Sequence, residues 1–275
     1  MTSFLRVAFF NPAAAFLGFL FVALLAWWGT LHFIIPNPSS EALQLWGASY
    51  QVLAWFGAIA GLVVSHRWGG IHSYMGRAII AFSLGLLLQS FGQTTYSLYV
   101  YALQIDIPYP SIGDLGFFGS IPCYLYGALT LAHVSGAKLS LKSMGSRVGA
   151  FLIPLILLGC SYYLFLRGYE FDFSMPLQIF LDFGYPLGQA AYVAAAVFAL
   201  VFSRKYLGGI MRLPLMLFIS ALVVQYLCDS MFLYEAAQGI FYSGGWNDLL
   251  YATSYFLMAL ALLCAGSTFS RIRET

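Results

Sequence analysis

One acidic residue, Asp229, lies inside a long apolar stretch of the sequence. An ionised carboxylate at the centre of a membrane helix costs at least ~3 kcal/mol, so such residues face the interior of a helix bundle and mark functional sites. Gln225 precedes Asp229 by one helical turn and shares its face. Asp229 is therefore the leading candidate for a site residue. The alternative is that it joins helices through hydrogen bonds alone.

Other amides and carboxylates recur at matching positions in the two halves of the chain. Gln51 and Gln189 each lie fourteen residues before a serine followed by two basic residues, and two pairs of polar residues have a spacing of four. Three matches in the same order predict an internal repeat. The matched residues are Gln51 with Gln189, Gln89 and Gln93 with Gln225 and Asp229, and Asp114 with Asp248.

The repeat places these polar side chains at comparable depth in the outer half of the membrane. We expect a polar, tyrosine-lined cavity that opens to the outside and binds a small ligand. Asp114 has an alternative role, because Ser111 and Asp114 form an S-x-x-D helix-capping box. The capping alternative also applies to Asp248. The predicted ligand-binding residues are Gln51, Gln93, Gln189, Gln225 and Asp229, with Asp114 and Asp248 at the rim.

The elements that position these residues are membrane helices. Of the 275 residues, 61% are hydrophobic and 8% charged, whereas a soluble domain has about 25% charged residues. This composition excludes a soluble globular protein, and the absence of a basic block argues against nucleic-acid binding. Eight apolar segments are long enough to span a bilayer. They are Ala13 to Ile35, Leu43 to Ser65, Ala78 to Leu103, Ser111 to His133, Arg147 to Leu166, Leu181 to Ser203, Leu213 to Glu235 and Asn247 to Ser267.

The loop charges predict the orientation of these spans. Eleven of the twelve Lys and Arg residues fall on one side of the eight-span arrangement, and only Arg167 falls on the other. Because basic loops stay in the cytoplasm, both termini should be cytoplasmic. The predicted fold is an all-α polytopic protein of the bacterial inner membrane. It forms a single integral membrane domain, residues 1–275, with two parallel four-helix repeats at about 13–134 and 147–268.

The residue types that bind cofactors lack the spacing that such sites need. The four cysteines stand apart, and no histidine pair has the spacing of a metal or haem site. No lysine lies within a span to hold retinal as a Schiff base. We therefore expect no metal and no other cofactor.

Two short motifs are similar to those of a known membrane module. Pro108-Tyr-Pro-Ser-Ile-Gly-Asp114 and Asp182-Phe-Gly-Tyr-Pro-Leu-Gly-Gln189 each lead into a helix, and Gln225 to Asp229 and Trp246 to Asp248 follow. Together they resemble the multi-span N-terminal sensory regions of some bacterial diguanylate cyclases, over roughly Ser83 to Ala265.

This resemblance implies a sensory module that binds a ligand and passes a signal to a partner protein. The chain differs at Gln189, where the second motif has Asp, and it reaches Thr275 without a GG(D/E)EF output domain.

A fainter likeness is to the eight-span lysoplasmalogenase-type membrane hydrolases, which use intramembrane aspartates in two similar halves. Here Gln93 occupies the first-half position. An acid and base pair would need Asp114 or Asp248 as its second carboxylate. A membrane hydrolase and a proton-coupled transporter are therefore the alternatives to a sensory module. The expected partners of the sensory module are the lipid bilayer, a small external ligand and a signalling protein.

Overall fold

A computed structural model describes residues 11–105, 107–134, 171–203 and 211–274, with some positions between 148 and 163. Its elements in the described ranges are all helical. Eight α-helices, named α1 to α8 in chain order, account for most of these residues. They are Pro12–Gly29, Ser40–Ser49, Gln51–Arg67, Tyr74–Leu98, Ile112–Val134, Pro176–Ser203, Arg212–Gln238 and Trp246–Glu274.

Six helical stretches in the described residues are long and apolar enough to cross a membrane, so the protein is a helical membrane protein. They correspond to six of the eight predicted segments, with α2 and α3 together forming one stretch, Ser40–Arg67. The predicted segment Leu181 to Ser203 lies within α6, which is not one of the six. The predicted segment Arg147 to Leu166 falls largely outside the described residues.

Local side chains explain why several helices begin where they do. The Asn11 side chain accepts hydrogen bonds from the backbone N–H groups of Ala13 and Ala14, and Pro12 follows it. Ser73 caps α4 in the same way, so this helix begins before the predicted Ala78. Proline is favoured in the first turn because it has no N–H to leave unpaired. This preference explains why α6 begins at Pro176 rather than at Leu181.

The second predicted span is interrupted at Tyr50, between α2 and α3. The amide of Gln51 donates to the carbonyl of Ala48 across this interruption, at 2.7 Å. A side chain thus satisfies a backbone acceptor that the broken helix would leave unpaired. The interruption places Tyr50 beside the site described below.

Contacts between distant residues define two ends of the bundle. At the first end, the Trp28 indole donates to the carbonyl of Gly244, at 2.9 Å. At the opposite end, the Trp68 indole donates to the carbonyl of Ala265, at 3.1 Å. We call the end with Trp28 and Gly244 the cavity end. The chain therefore enters α8 at the cavity end and leaves it at the opposite end, antiparallel to α1.

Helices α5 and α6 run in the same direction. Asp114, near the start of α5, accepts a hydrogen bond from Tyr185 of α6. Later in both helices, the rings of Tyr124 in α5 and Tyr192 in α6 pack edge to face. Residue numbers therefore increase together along this helix pair. Both helices lead away from the cavity end.

Small residues and one aromatic pair bring the central helices together. Gly85 of α4 leaves room for the ring of Tyr124, and Gly57 of α3 packs against Ala259 of α8. Close approach at small residues is the usual basis of helix association in membranes. Phe82 of α4 stacks on Phe218 of α7 with ring centroids 4.5 Å apart and planes inclined by 19°.

Candidate functional site

The candidate site is a cavity of about 110 Å³ at the cavity end of the bundle. Side chains of α2, α4, α5, α6, α7 and α8 line it, together with residues of the two loops 104–111 and 239–245. Five of the seven residues predicted from the sequence lie on its wall. They are Gln93, Asp114, Gln189, Asp229 and Asp248.

Asp229 lies in α7, lines the cavity and is partly exposed. Its carboxylate accepts a hydrogen bond from the Tyr251 hydroxyl at 2.7 Å, and the Gln225 amide approaches both of its oxygens, at 3.1 and 3.2 Å. The two donors come from α8 and from the preceding turn of α7. Asp229 therefore takes part in interhelical hydrogen bonding and also borders the cavity.

Asp248 lies in the first turn of α8 and is only 4% exposed. One carboxylate oxygen accepts the backbone N–H of Gly244 at 2.6 Å, and the other accepts the Tyr50 hydroxyl at 3.1 Å. Gly244 has a positive φ of 78°, which glycine adopts without strain. Asp248 thus holds the loop before α8 and the junction before α3 in place around the cavity.

Asp114 forms the predicted capping box and has a second contact. Its Oδ2 atom accepts the backbone N–H of Ser111 at 2.7 Å, and the Ser111 hydroxyl accepts the backbone N–H of Gly113 at 3.1 Å. Its Oδ1 atom accepts the Tyr185 hydroxyl of α6 at 2.8 Å. Capping therefore uses one oxygen of this carboxylate, and the other joins α5 to α6 at the cavity wall.

Gln189 has a hydrogen-bonding group without a protein partner. Its side chain lines the cavity and is 3% exposed, and its carbonyl oxygen Oε1 has no hydrogen-bond donor among the described residues. A buried acceptor left unpaired costs about 1–3 kcal/mol. The Gln93 amide, by contrast, donates to the carbonyl of Gly47 at 3.2 Å. Gln189 thus combines a buried side chain on the cavity lining with a carbonyl oxygen that has no donor among the described residues.

Gln51 and Gln225 do not line the cavity, although the sequence predicts both as ligand-binding residues. Gln51 accepts a hydrogen bond from the Thr94 hydroxyl and donates to Ala48. Gln225 is 1% exposed, and its carbonyl accepts the Ser254 hydroxyl at 2.9 Å. The structure places Gln51 at a helix junction and Gln225 behind Asp229.

Tyrosines supply the donors to the carboxylates, and the sequence prediction names none of them individually. Each of the three cavity aspartates accepts from one tyrosine hydroxyl of another helix or helix junction. The interfacial positions of Tyr96 and Tyr101 are typical of a membrane aromatic belt, yet both rings line the cavity. Spacing alone could not separate these two roles. The tyrosine donors are Tyr50, Tyr185 and Tyr251.

The loop between α4 and α5 contributes a fourth pair at the rim. The hydroxyl of Tyr109, which lines the cavity, donates to Asp182 of α6 at 2.6 Å. Burial and the carboxylate of Asp182 raise the pKa of Tyr109 above its ordinary value. Tyr109 therefore stays protonated and remains a donor at physiological pH.

The lining of the cavity has carboxylates but no basic side chain. Among the lining residues, which all lie in the described part of the chain, none is Lys, Arg or His. Three aspartates share the wall with phenol rings, phenyl rings and amides. Because like charges favour a counterion and aromatic faces attract cations, the wall is complementary to a positively charged or hydrogen-bond-donating ligand.

Comparison with known proteins identifies no relative of this chain. No protein-family model matches the chain, and neither the curated proteins nor the solved structures include a significant match.

Proposed function

We propose that this protein is a membrane-embedded, ligand-binding module of the sensory kind, and that its small ligand enters the cavity from the exterior. The observation that carries the proposal is that the buried side chain of Gln189, whose Oε1 atom has no hydrogen-bond partner among the described residues, lines a cavity bounded by three aspartates. A cavity with a few convergent polar groups is the usual form of a small-molecule site. The ligand would supply the donor that Gln189 lacks.

Eight spans with cytoplasmic termini form the topological part of the proposal. The parallel direction of α5 and α6 supports it, because one span between two parallel helices returns the chain to the starting side. The predicted span Arg147 to Leu166 would provide that crossing. With this topology the cavity end faces the exterior, opposite to the basic loops.

The internal repeat is supported by contacts that recur in the same register. Gln89 bonds to Ser120, and Gln225 bonds to Ser254. Ser120 lies six residues after Asp114, and Ser254 lies six residues after Asp248, its predicted counterpart. The pair of helices α4 and α5 thus has the same polar contact as the pair α7 and α8.

Two further contacts join corresponding helices of the two halves reciprocally, although Tyr50 lies one residue before Gln51 and Tyr185 lies four residues before Gln189. Tyr50, in the second helix of the first repeat, bonds to Asp248 in the last helix of the second repeat. Tyr185, in the second helix of the second repeat, bonds to Asp114 in the last helix of the first. Each half therefore donates a tyrosine hydroxyl to the aspartate of the other. Under this proposal the cavity lies between the halves, where ligand binding could alter their packing and so signal to a partner protein.

A density map of the protein purified from its native membrane tests the proposal. The expected result is a non-protein molecule among Gln93, Gln189 and Asp229. A matched pair of variants tests whether the molecule occupies the cavity. Ala48→Leu places a larger side chain in the cavity, whereas Ala15→Leu adds the same volume on an exposed face of α1. Ala48→Leu should lose the molecule and Ala15→Leu should retain it.

Activity assays separate this function from its alternatives. Saturable binding without chemical change or transport supports the sensory module. Turnover of a lipid substrate would instead assign the carboxylates to a hydrolase, and accumulation of the bound molecule inside vesicles would assign them to a transporter. An empty cavity in the density map, with wild type and Ala48→Leu indistinguishable, would refute the proposal.

A further inference from the structure

We propose that the ligand of this cavity is a small organic ammonium ion that carries at least one hydrogen-bond donor. This inference rests on the proposed function and specifies the chemical class of the ligand. It follows from the charge of the wall, from its aromatic rings and from the unpaired oxygen of Gln189.

The charge of the wall favours a cation. Asp114, Asp229 and Asp248 line the cavity, and no Lys, Arg or His is among the lining residues of the described chain. Their protein contacts are hydrogen bonds from neutral tyrosine, glutamine, serine and backbone groups. None of these donors carries a positive charge. A cationic ligand would supply the missing opposite charge.

The surface of the cavity favours an organic cation. Groups of three or more His, Cys, Asp or Glu that could hold a metal ion do not occur among the described residues, so the three carboxylates are not gathered into one set of metal ligands. Aromatic side chains also line the cavity, and aromatic faces attract alkylammonium groups by about 0.5–2 kcal/mol. The aromatic residues on the wall include Tyr96, Tyr101, Phe117, Phe232 and Phe241.

The amide of Gln189 adds a requirement for a donor. Its Oε1 atom is a buried acceptor without a partner, whereas the neighbouring carboxylates are already hydrogen-bonded. A fully methylated ammonium group carries no N–H and would leave this oxygen unpaired. A ligand with an additional O–H or N–H group could satisfy it.

Three probes of similar shape separate these contributions. Choline has both the charge and a hydroxyl donor, tetramethylammonium has the charge only, and 3,3-dimethyl-1-butanol has the shape and hydroxyl of choline without the charge. The full chain, purified in a maltoside detergent, is titrated with each probe by isothermal calorimetry at constant ionic strength. Choline should bind at least tenfold more tightly than its neutral analogue and several-fold more tightly than tetramethylammonium.

Two variants test the residues responsible, and a third provides the control. Asp229→Asn removes one carboxylate of the wall and should weaken choline binding about tenfold. Gln189→Met keeps a side chain of similar size without the acceptor, so it should reduce choline affinity to that of tetramethylammonium. Asp172→Asn also removes a carboxylate, but from an exposed turn outside the cavity, and it should leave all affinities unchanged. Circular dichroism verifies that each variant is folded.

The same chemistry occurs in free amines and in lipid headgroups. Protein in phosphatidylglycerol nanodiscs is therefore compared with protein in nanodiscs that also contain phosphatidylcholine. If headgroups are the source, phosphatidylcholine should abolish binding of free choline. If the source is a soluble amine, choline should bind equally in both membranes.

Equal binding of choline and its neutral analogue would overturn the inference while leaving a binding module intact. The absence of binding by either cation, with a different molecule present in the density map, would also overturn it. An empty cavity in the map would overturn the proposed function itself.

Discussion

Gln89 joins three helices through hydrogen bonds in the centre of the bundle. Its amide donates to Ser120 of α5 at 2.8 Å, and its carbonyl accepts the Tyr255 hydroxyl of α8 at 3.1 Å. All three side chains are buried. The substitution Gln89→Leu preserves much of the volume and removes both bonds, so it measures what this polar junction contributes to stability.

The expected loss of stability depends on whether each hydrogen-bond partner of Gln89 keeps another partner in the variant. Two interhelical hydrogen bonds contribute about 0.6 kcal/mol each in a membrane protein. Ser120 keeps a hydrogen bond to the carbonyl of Phe117 at 2.7 Å, but Tyr255 is left with a buried, unpaired hydroxyl, which costs about 1 kcal/mol more. Gln89→Leu should therefore lower the free energy of unfolding by about 2 kcal/mol.

A double-mutant cycle measured by reversible unfolding in mixed micelles tests this reasoning. Adding Tyr255→Phe to Gln89→Leu removes the unpaired hydroxyl and should recover about 1 kcal/mol. Thr95→Val is the control, because the Thr95 hydroxyl donates to the Phe91 carbonyl of its own helix and has no other hydrogen-bond partner among the described residues. Strictly additive effects of the two central substitutions would refute the assigned coupling.

Three further outcomes are expected. Gly57→Ala should destabilise the protein, because a Cβ at Gly57 would collide with Ala259, whereas Gly18→Ala should not, since it has open space; thermal unfolding measures both. Stability should fall as the pH rises above about 10, because the unfolded state then releases the Tyr109 proton that the folded state retains through its raised pKa; Tyr109→Phe should lessen this fall in unfolding titrations. Reporter fusions should locate Thr275 in the cytoplasm and Gly244 outside, and an external Thr275 would contradict the proposed topology.

Patterns of hydrophobicity predicted the helices well because the membrane imposes a long apolar run on each span. The positions at which the helices begin and end depend instead on local side chains. Ser73 begins α4 before its apolar stretch, and α8 extends to Glu274 beyond the predicted Ser267. The interruption at Tyr50 lies within an apolar run and gives no periodicity signal.

Polar residues inside apolar runs were informative for the site because lipid excludes them from the outer faces of the bundle. Gln93 and Asp229 both line the cavity. The fate of Gln51 could not be predicted, because Thr94 and Ala48 satisfy its amide only in the folded geometry. Ligand binding by these residues remains a prediction.

The stack of Phe82 on Phe218 has a consequence for the origin of the fold. Phe82 lies seven residues before Gln89, and Phe218 lies seven residues before Gln225, so the two rings are counterparts in the proposed repeat. Counterparts can touch each other only on the axis that relates the halves. If one four-helix unit was duplicated, its ancestor was an isologous homodimer in which this phenylalanine met its own copy. Fusion of two such copies would have allowed one glutamine to remain while its counterpart became Asp229, giving the cavity a chemical asymmetry that a homodimer cannot have.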